Sequence, residues 1–279
     1  MKKSIVALIL IFLCIGFGRS AFATPSTHIW APSTDIQGYG IFHLTADVYL
    51  PVQGNDELAG GTDATGWDRP DPVTNLGLTV GVLPFEKLQM EIGFDHITGY
   101  SFYDRGDLDN SPMYFNAKIG IPEGAFGKYS PAFAVGGYMF GTEDNGEARA
   151  GHTAEPGTDF NVLYAKLGKT IGPLGRFSAG YYIGNKKLLV DENGKEEEDG
   201  VLLCWERTMS EISENLWLAV EYVDGENSLG ALSYGFAWKF APNASVLFAY
   251  IDQNNDELAF VEDWFSVQVD IDWNIFGKK

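Results

Sequence analysis

The chain has 279 residues, 45% of them hydrophobic, a mean hydropathy near zero and a formal net charge of −19. So acidic a balance argues against nucleic acid or other polyanions as partners. The sequence holds two cysteines, Cys14 and Cys204, and the first lies in a leader, so no intramolecular disulfide is expected in the mature chain.

The first segment of the chain has the three parts of an export signal. A basic Met-Lys-Lys start precedes an apolar run, Ile5–Phe17, and a small-residue site, Ala21–Ala23. This pattern predicts a secretory signal peptide that is cleaved after Ala23. The run is well short of the roughly 20 apolar residues that a membrane helix needs. Cleavage removes three basic residues and leaves 16 basic against 38 acidic residues, a mature charge of −22.

Residues 24–38 contain prolines and small polar residues and have no clean period. They predict an irregular arm, residues 24–38, at one end of the fold. Two arrangements fit this segment: an arm that Trp30 anchors in the mouth of the fold, or a disordered leader.

From residue 39 to the C-terminus, about twelve segments have the composition and length of strands, most of them with apolar and polar residues in alternation. Successive side chains of a strand point to opposite faces, so such segments have one apolar and one polar face. The predicted strands are Tyr39–Leu50, Asn75–Leu83, Leu88–His96, Met113–Ile121, Ser130–Phe140, Asp159–Thr170, Arg176–Gly184, Val201–Met209, Leu216–Val223, Leu229–Phe240, Ala244–Asp252 and Trp264–Phe276. The facing of Ser130–Phe140 stays unassigned. In Ala244–Asp252 we expect Leu247, Ala249 and Ile251 to face outward.

The last strand carries the clearest pattern. From Phe265 to Ile275 every second residue is apolar, and every residue between them is polar. Half-buried strands of soluble proteins usually alternate over about 4–8 residues. This run reaches the roughly 9–11 residues that a tilted strand needs to cross a bilayer.

The connections between the predicted strands also sort by length. From the first strand onward they mostly alternate between long and short, with residues 224–228 as a short exception among the long ones. Together with the export signal and the last strand, this order resembles Gram-negative outer-membrane β-barrels, over nearly the whole mature chain. The resemblance implies a transmembrane antiparallel up-and-down barrel spanning residues 39–279, with short periplasmic turns, longer extracellular loops and a place in the cell outer membrane. Outer-membrane lipid, lipopolysaccharide and the barrel assembly machinery are its implied partners.

Aromatic residues give a second test of this resemblance. Trp205, Trp238 and Trp273 fall near the predicted periplasmic strand ends, whereas Phe94 and the pair Trp264 and Phe265 fall near outer ends. Girdles of aromatic residues at both interfaces are expected of such barrels. One departure is the C-terminus: many of these barrels end on an aromatic residue that the assembly machinery reads, whereas Gly-Lys-Lys follows Phe276 here.

The sequence offers little that points to catalysis or to cofactors. Gly168-Lys169-Thr170 lacks the upstream glycine of a phosphate-binding loop, and the four histidines have no metal-ligand spacing. His43 and Thr45 are faintly similar to the His-x-Ser pair of the outer-membrane phospholipase, but threonine replaces serine and the pair faces the polar side. The acids of residues 191–199 lack EF-hand spacing and are expected to form a solvated loop, with cation bridges to lipopolysaccharide as the alternative. We expect no enzyme activity, no cofactor and no metal.

The polar faces of the strands predict a charged lumen. Its residues would be the acids and bases His43, Asp47, Glu91, Asp95, Lys118, Lys166, Arg176, Glu206, Glu221, Lys239, Asp270 and Asp272. Eight strands give an interior that side chains fill, and 16–18 leave an aqueous channel, so about twelve should leave a narrow bore. Carboxylate linings favour cations.

Three functions are compatible with these features. The favoured hypothesis is a narrow outer-membrane channel for small hydrophilic solutes with a preference for cations. In the second, the lumen charges pair and close the bore, and the barrel is a structural or surface-interaction protein that contacts lipopolysaccharide, metal or a partner through its acidic loops. The third, a lipid hydrolase that uses His43, has the weakest support in the sequence. The oligomeric state is left open.

Overall fold

A computed structural model describes residues 27–52, 72–99, 112–144, 157–255 and 263–274. The expected cleavage site after Ala23 lies outside these ranges. Within them, no helix is long and apolar enough to span a membrane, and Gly172–Leu174 forms a single 3₁₀ turn.

The described chain folds into twelve β-strands, as the sequence predicts. In chain order they are β1 Ile41–Pro51, β2 Val73–Gly81, β3 Gln89–Thr98, β4 Met113–Ile121, β5 Ala132–Phe140, β6 Asp159–Thr170, β7 Arg176–Ile183, β8 Asp199–Thr208, β9 Leu216–Val223, β10 Ala231–Ala241, β11 Ala244–Gln253 and β12 Asp263–Asn274.

Each strand pairs with its neighbours in sequence, and β1 pairs with β12 to close the barrel. All pairings between the strands are antiparallel. The closing pair runs from Ile41 opposite Asn274 to Pro51 opposite Trp264. Closure leaves no strand edge exposed, which is what a sheet needs in a medium that offers no hydrogen bonds.

The outer surface of the barrel is apolar. Large side chains such as Leu76, Phe115, Leu163 and Phe236 are 43–55% exposed although the sheet is regular and closed. So large an exposed apolar surface on every side of a closed sheet fits contact with lipid tails. The predicted transmembrane β-barrel fold is therefore confirmed.

The connections are sorted as the sequence predicts. Those at the end where β1 begins are short, down to residues 242–243 between β10 and β11, and those at the opposite end include residues 52–72 and 141–158. At the short-turn end, Glu123 accepts hydrogen bonds from Lys169 Nζ at 2.6 Å and from the backbone N of Thr170 at 3.0 Å. Partial burial alone would raise the pKa of Glu123, but these bonds outweigh it and hold the pKa below its usual range. The contact fixes the turn after β4 against the end of β6.

An arginine on the lipid-facing surface tests the membrane assignment. Leu203 lies on the outer face in the middle of β8, where we expect Leu203→Arg to lower the free energy of unfolding in liposomes by about 2–4 kcal/mol. Phe240 faces outward near the end of β10, and Phe240→Arg should cost about 0–1 kcal/mol. Denaturant titrations of both variants measure the difference, and equal costs at the two depths would contradict the assignment.

Candidate functional site

The interior of the barrel holds most of the predicted lumen residues. Alternation along the strands directs all twelve to the inner face, and eight of them are buried there: His43, Asp47, Glu91, Lys118, Lys166, Glu206, Glu221 and Asp270. Asp95, Arg176 and Asp272 are half-buried, and Lys239 is exposed near the end of β10. Whether these residues line a conducting bore stays a prediction.

Residues 27–38, which we call the lumen segment, lie inside the barrel. The segment leaves the short-turn end through contacts with β2, where Gly40 N donates to Gly81 O at 2.9 Å. A Cβ at position 81 would collide with the carbonyl oxygens of Gln37 and Gly38, so the absence of a side chain at Gly81 lets the segment pass. At its tip the segment turns back on itself, because Thr27 pairs with Pro32 in an antiparallel bridge.

The tip of the lumen segment is held by one buried carboxylate. Glu221 on β9 accepts hydrogen bonds from the backbone N of Trp30 and, at 2.9 Å, from that of Ala31. The indole of Trp30 donates to Leu229 O at 2.9 Å, in the connection after β9, and its ring meets Tyr49 edge-on. The tip therefore reaches toward the long-loop end of the barrel.

Two buried lysines bind the main chain of the lumen segment. Lys166 Nζ donates to Pro32 O at 2.9 Å, and Lys118 Nζ lies 3.4 Å from Ser33 O. Lys118 also pairs with Glu91 at 3.2 Å, and Glu91 accepts from the backbone N of Gln37 at 2.7 Å. Because a buried ammonium is costly without partners, these contacts tie the charges of the wall to the segment.

A charged network joins the lumen segment to β7 and β8. Arg176 donates two parallel hydrogen bonds to Asp35, both at 2.6 Å, and a third from Nε to Glu206 Oε1 at 2.6 Å. Glu206 also bonds His28 Nε2 at 3.0 Å and accepts from the indole of Trp217 at 3.0 Å. Two-pronged arginine–carboxylate pairs of this kind are strong and directional.

Across the lumen from this network, a ladder of acids and amides spans β1 to β4. Asn75 donates to Asp47 at 3.3 Å and to Asp95 at 3.2 Å, and Asn116 donates to Asp95 at 2.8 Å. Thr45 completes it with a 2.5 Å hydrogen bond to Asp47.

The ladder continues onto β12 through a histidine. His43 lies between Asp272, at 2.8 Å from Nδ1, and Asp270, at 3.3 Å from Nε2. In the described part of the chain, no lysine or arginine forms an ion pair with Asp47, Asp95, Asp270 or Asp272. We call these four residues the acidic face.

Part of the lumen is apolar, contrary to the sequence prediction. Leu247, Ala249 and Ile251 are buried on the inner face of β11, so their predicted outward facing was wrong. They pack with Ile29 of the lumen segment and with inward aromatic residues of β9 and β12. Trp264, predicted to belong to the outer aromatic girdle, is one of these residues and is 1% exposed inside the barrel. These side chains fill space that a wide aqueous bore would need.

A second apolar cluster comes from the connection between β7 and β8. Leu188, Leu189 and Val190 are buried, and the two leucines pack with Tyr182 and Leu202 on the inner faces of β7 and β8. The acids of residues 191–199 predicted a solvated loop, and no contact was predicted for residues 188–190. Three consecutive apolar residues in an otherwise charged loop were the available signal. Two of the acids that follow pair with lysines of the same loop, Glu196 with Lys186 at 2.9 Å and Glu197 with Lys195.

The hydrolase hypothesis gains nothing from the geometry. The Thr45 hydroxyl donates to Asp47, and both imidazole nitrogens of His43 lie beside carboxylates. This arrangement does not form the hydroxyl–imidazole hydrogen bond that activates a nucleophile. Cys204 is buried on the inner face of β8.

Comparison with known proteins identifies a fold and no family. Neither a family model nor a curated protein matches the sequence. Among solved structures, the COG4313 outer membrane channel from Pseudomonas putida F1 aligns with a TM-score of 0.51 at 12% identity, covering 85% of this chain and 97% of that one.

Two further solved structures give weaker alignments. A mutant Rh. blastica porin gives a TM-score of 0.38 at 10% identity, covering 84% of this chain and 100% of that one. Outer membrane phospholipase A from Escherichia coli gives 0.40 at 9% identity, covering 84% and 92%. At these values the last two carry no argument, and the likeness to the P. putida channel concerns the fold alone. The chain has the fold of an outer-membrane β-barrel protein.

Proposed function

We propose that the protein is a narrow outer-membrane channel for small hydrophilic solutes, with a preference for cations. The observation that carries this proposal is the acidic face, Asp47, Asp95, Asp270 and Asp272. The carboxylates on the opposite wall are engaged by Arg176, Lys118 and the lumen segment, so they add little field to the lumen. The acidic face has only His43 as a possible counter-charge, and its four carboxylates are on the inner faces of β1, β3 and β12. Such a lining concentrates cations and repels anions.

The lumen segment sets the size of the proposed path. Its polar contacts run along β3, β4 and β6 to β9, and Gln268 of β12 donates to Ile29 O at 2.9 Å. With the acidic face it makes a long hydrogen bond, from Gln37 Nε2 to Asp272 at 3.5 Å, so we take that face as the polar lining of the path. Solutes that pass would move between the segment and this face. We expect small ions and small polar molecules to permeate, and liposome-swelling rates for sugars, nucleosides and organic acids to rank the solutes that fit.

Neutralising the acidic face should remove the cation preference. In a planar bilayer under a KCl gradient, the wild-type protein should show a reversal potential of the sign that marks cation selectivity. The triple variant Asp47→Asn, Asp95→Asn, Asp270→Asn should shift this potential most of the way to zero, because the fixed negative charge facing the path is gone.

The matched control is Glu226→Gln, which removes an exposed acidic charge in the connection between β9 and β10. It should leave the reversal potential nearly unchanged. Anion preference of the wild-type protein, or an unchanged potential in the triple variant, would contradict the proposal.

A second candidate function, a closed barrel that acts through its surface, is favoured by the filling of the lumen. The lumen segment, the inward apolar residues of β11 and the buried Leu188 and Leu189 together occupy much of the interior. In that case the acidic loop of residues 191–199 would contact lipopolysaccharide or a partner. Absence of conductance and of liposome swelling, with loss of surface binding when this loop is shortened, would favour the closed barrel over the channel.

A further inference from the structure

Three side chains with metal-binding atoms meet where the lumen segment touches the wall. They are His28 of the segment, Cys204 on β8 and Glu221 on β9. One ligand atom from each lies within 4.8 Å of the other two, and all three residues are buried. His28 lies far in the sequence from Cys204 and Glu221, so no metal-binding motif in the sequence predicts the cluster.

The fold positions each of the three side chains. Cys204 and Glu221 are directly opposite each other in the pairing of β8 with β9, and both face inward. The imidazole ring of His28 stacks on the indole of Trp217, with an angle of 8° between the planes and 6.5 Å between the centroids, and this contact holds it in place. The backbone bonds from Trp30 and Ala31 to Glu221 keep the segment beside that carboxylate.

The imidazole of His28 has one nitrogen engaged and one without a hydrogen bond. Its Nε2 lies 3.0 Å from Glu206, a carboxylate that Arg176 and Trp217 hold in place, so Nε2 carries a proton and donates it. The Nδ1 atom is buried and makes no hydrogen bond, and Glu221 Oε2 lies 3.8 Å from it. Glu206 thus accepts the N–H of the nitrogen that would not bind the metal, and metal-binding histidines are commonly supported by a carboxylate in this way. Nδ1 is therefore a buried polar atom without a hydrogen bond, and a cation bound beside it would satisfy it.

We propose that His28 Nδ1, the Cys204 thiolate and a Glu221 oxygen bind one Zn²⁺ ion. Zinc takes nitrogen, sulfur and carboxylate oxygen ligands together, and a site with three protein ligands leaves one position for water. Tetrahedral zinc at the usual bond lengths places its ligand atoms roughly 3.3–3.6 Å apart, so small rotamer shifts from the observed separations suffice.

The charges around the site also fit the ion. Lys166 is near enough to interact electrostatically with Cys204, Glu221 and Glu206, and Arg176 neutralises one further carboxylate. Binding releases the thiol proton of Cys204, so the added charge is one positive unit rather than two. Three carboxylates, Asp35, Glu206 and Glu221, face the two cations Arg176 and Lys166, and the one negative charge left over offsets the added unit. The bound ion would join the lumen segment to the barrel wall, which goes beyond the proposed channel function and holds whether or not the barrel conducts.

Cobalt substitution tests the site directly. The chain from residue 24 onward holds Cys204 as its one cysteine. This chain, refolded in detergent with Co²⁺ after chelator treatment, should bind one equivalent and show thiolate-to-cobalt charge-transfer absorption. Addition of Zn²⁺ should abolish the absorption by displacement. Refolding with the metal loads the site before the segment closes it.

Variants locate the ligands. Cys204→Ser should abolish the charge-transfer band, and His28→Gln should weaken metal binding at least tenfold. The matched control is His43→Gln. It removes another buried histidine between two carboxylates, but these are Asp270 and Asp272 of the acidic face and not the residues of the proposed metal site. That variant should retain the band.

The wild-type spectrum decides the proposal without any variant. If the barrel is folded, as judged by its heat-modifiable mobility in electrophoresis, and shows no thiolate–cobalt absorption, the site does not bind metal. Retention of full affinity in His28→Gln would equally overturn the proposed ligand set.

Discussion

Deleting the lumen segment, residues 27–38, should raise the single-channel conductance several-fold. The segment crosses the interior beside the acidic face, and its Ile29 and Ala31 side chains are fully packed against the wall. Twelve strands enclose a bore wider than the one that eight strands fill with side chains, so removing an internal strip of chain leaves a water-filled path. The charges that the segment now covers, Lys166 and Glu221 among them, would be hydrated by that water and add to the polar lining.

A point variant refines this experiment and controls for damage to the barrel. Glu221→Gln keeps the shape of the side chain but weakens the acceptor of Trp30 N and Ala31 N, so it should increase the frequency of large-conductance openings without a deletion. Electrophoretic mobility with and without heating shows whether each barrel is closed. Equal conductance of the wild-type protein and the deletion variant, with both barrels folded, would mean that the segment does not restrict the bore.

Replacing Arg176 with alanine should be the most destabilising single change in the charged network. Its guanidinium is the shared cation of Asp35 and Glu206, and Arg176→Ala leaves two carboxylates facing each other across the place it occupied. Breaking a buried ion pair by removing one partner costs about 3–5 kcal/mol. The Asp35 side chain is 31% exposed, so water reduces that cost, and we expect a loss of about 2–4 kcal/mol in the free energy of unfolding.

Denaturant unfolding in liposomes measures this loss, and a double-mutant cycle with Asp35→Ala isolates the pair. The coupling energy should fall at roughly 1–3 kcal/mol, since the two residues share parallel hydrogen bonds. Lys169→Ala is the comparison: it breaks a partly exposed pair with Glu123 outside the lumen and should cost about 1 kcal/mol or less. A loss for Arg176→Ala no greater than for Lys169→Ala would show that the network does not stabilise the barrel.

The strand pattern could be predicted because lipid imposes it. An outward position in the membrane tolerates few polar groups, so every second residue of β1 and β12 is apolar, and this alternation identifies their outer faces. The inner face carries no such rule. In β11 the run from Val246 to Ile251 is apolar on both faces, and alternation cannot tell which side faces inward. The inward facing of Leu247 and Trp264 depends on what fills the lumen.

The contacts of the lumen segment were beyond local sequence patterns. Its partners Glu91, Lys166, Arg176 and Glu221 lie on different strands, and each contact joins residues that are distant in the chain. The strand positions of these four residues predicted that their charges face inward. Their partners in residues 27–38 could not be predicted. An irregular segment has no periodic pattern from which the direction of its side chains could be inferred.

The reversal at the tip of the lumen segment determines how it can move. Because Thr27 runs back beside Pro32, the segment enters the cylinder as a bent loop, with its second leg attached to the wall where β1 starts. The attachment to Gly81 lies at the short-turn end and the bend lies deeper in the lumen, so the bend would swing about that attachment once Glu221 no longer holds Trp30 and Ala31.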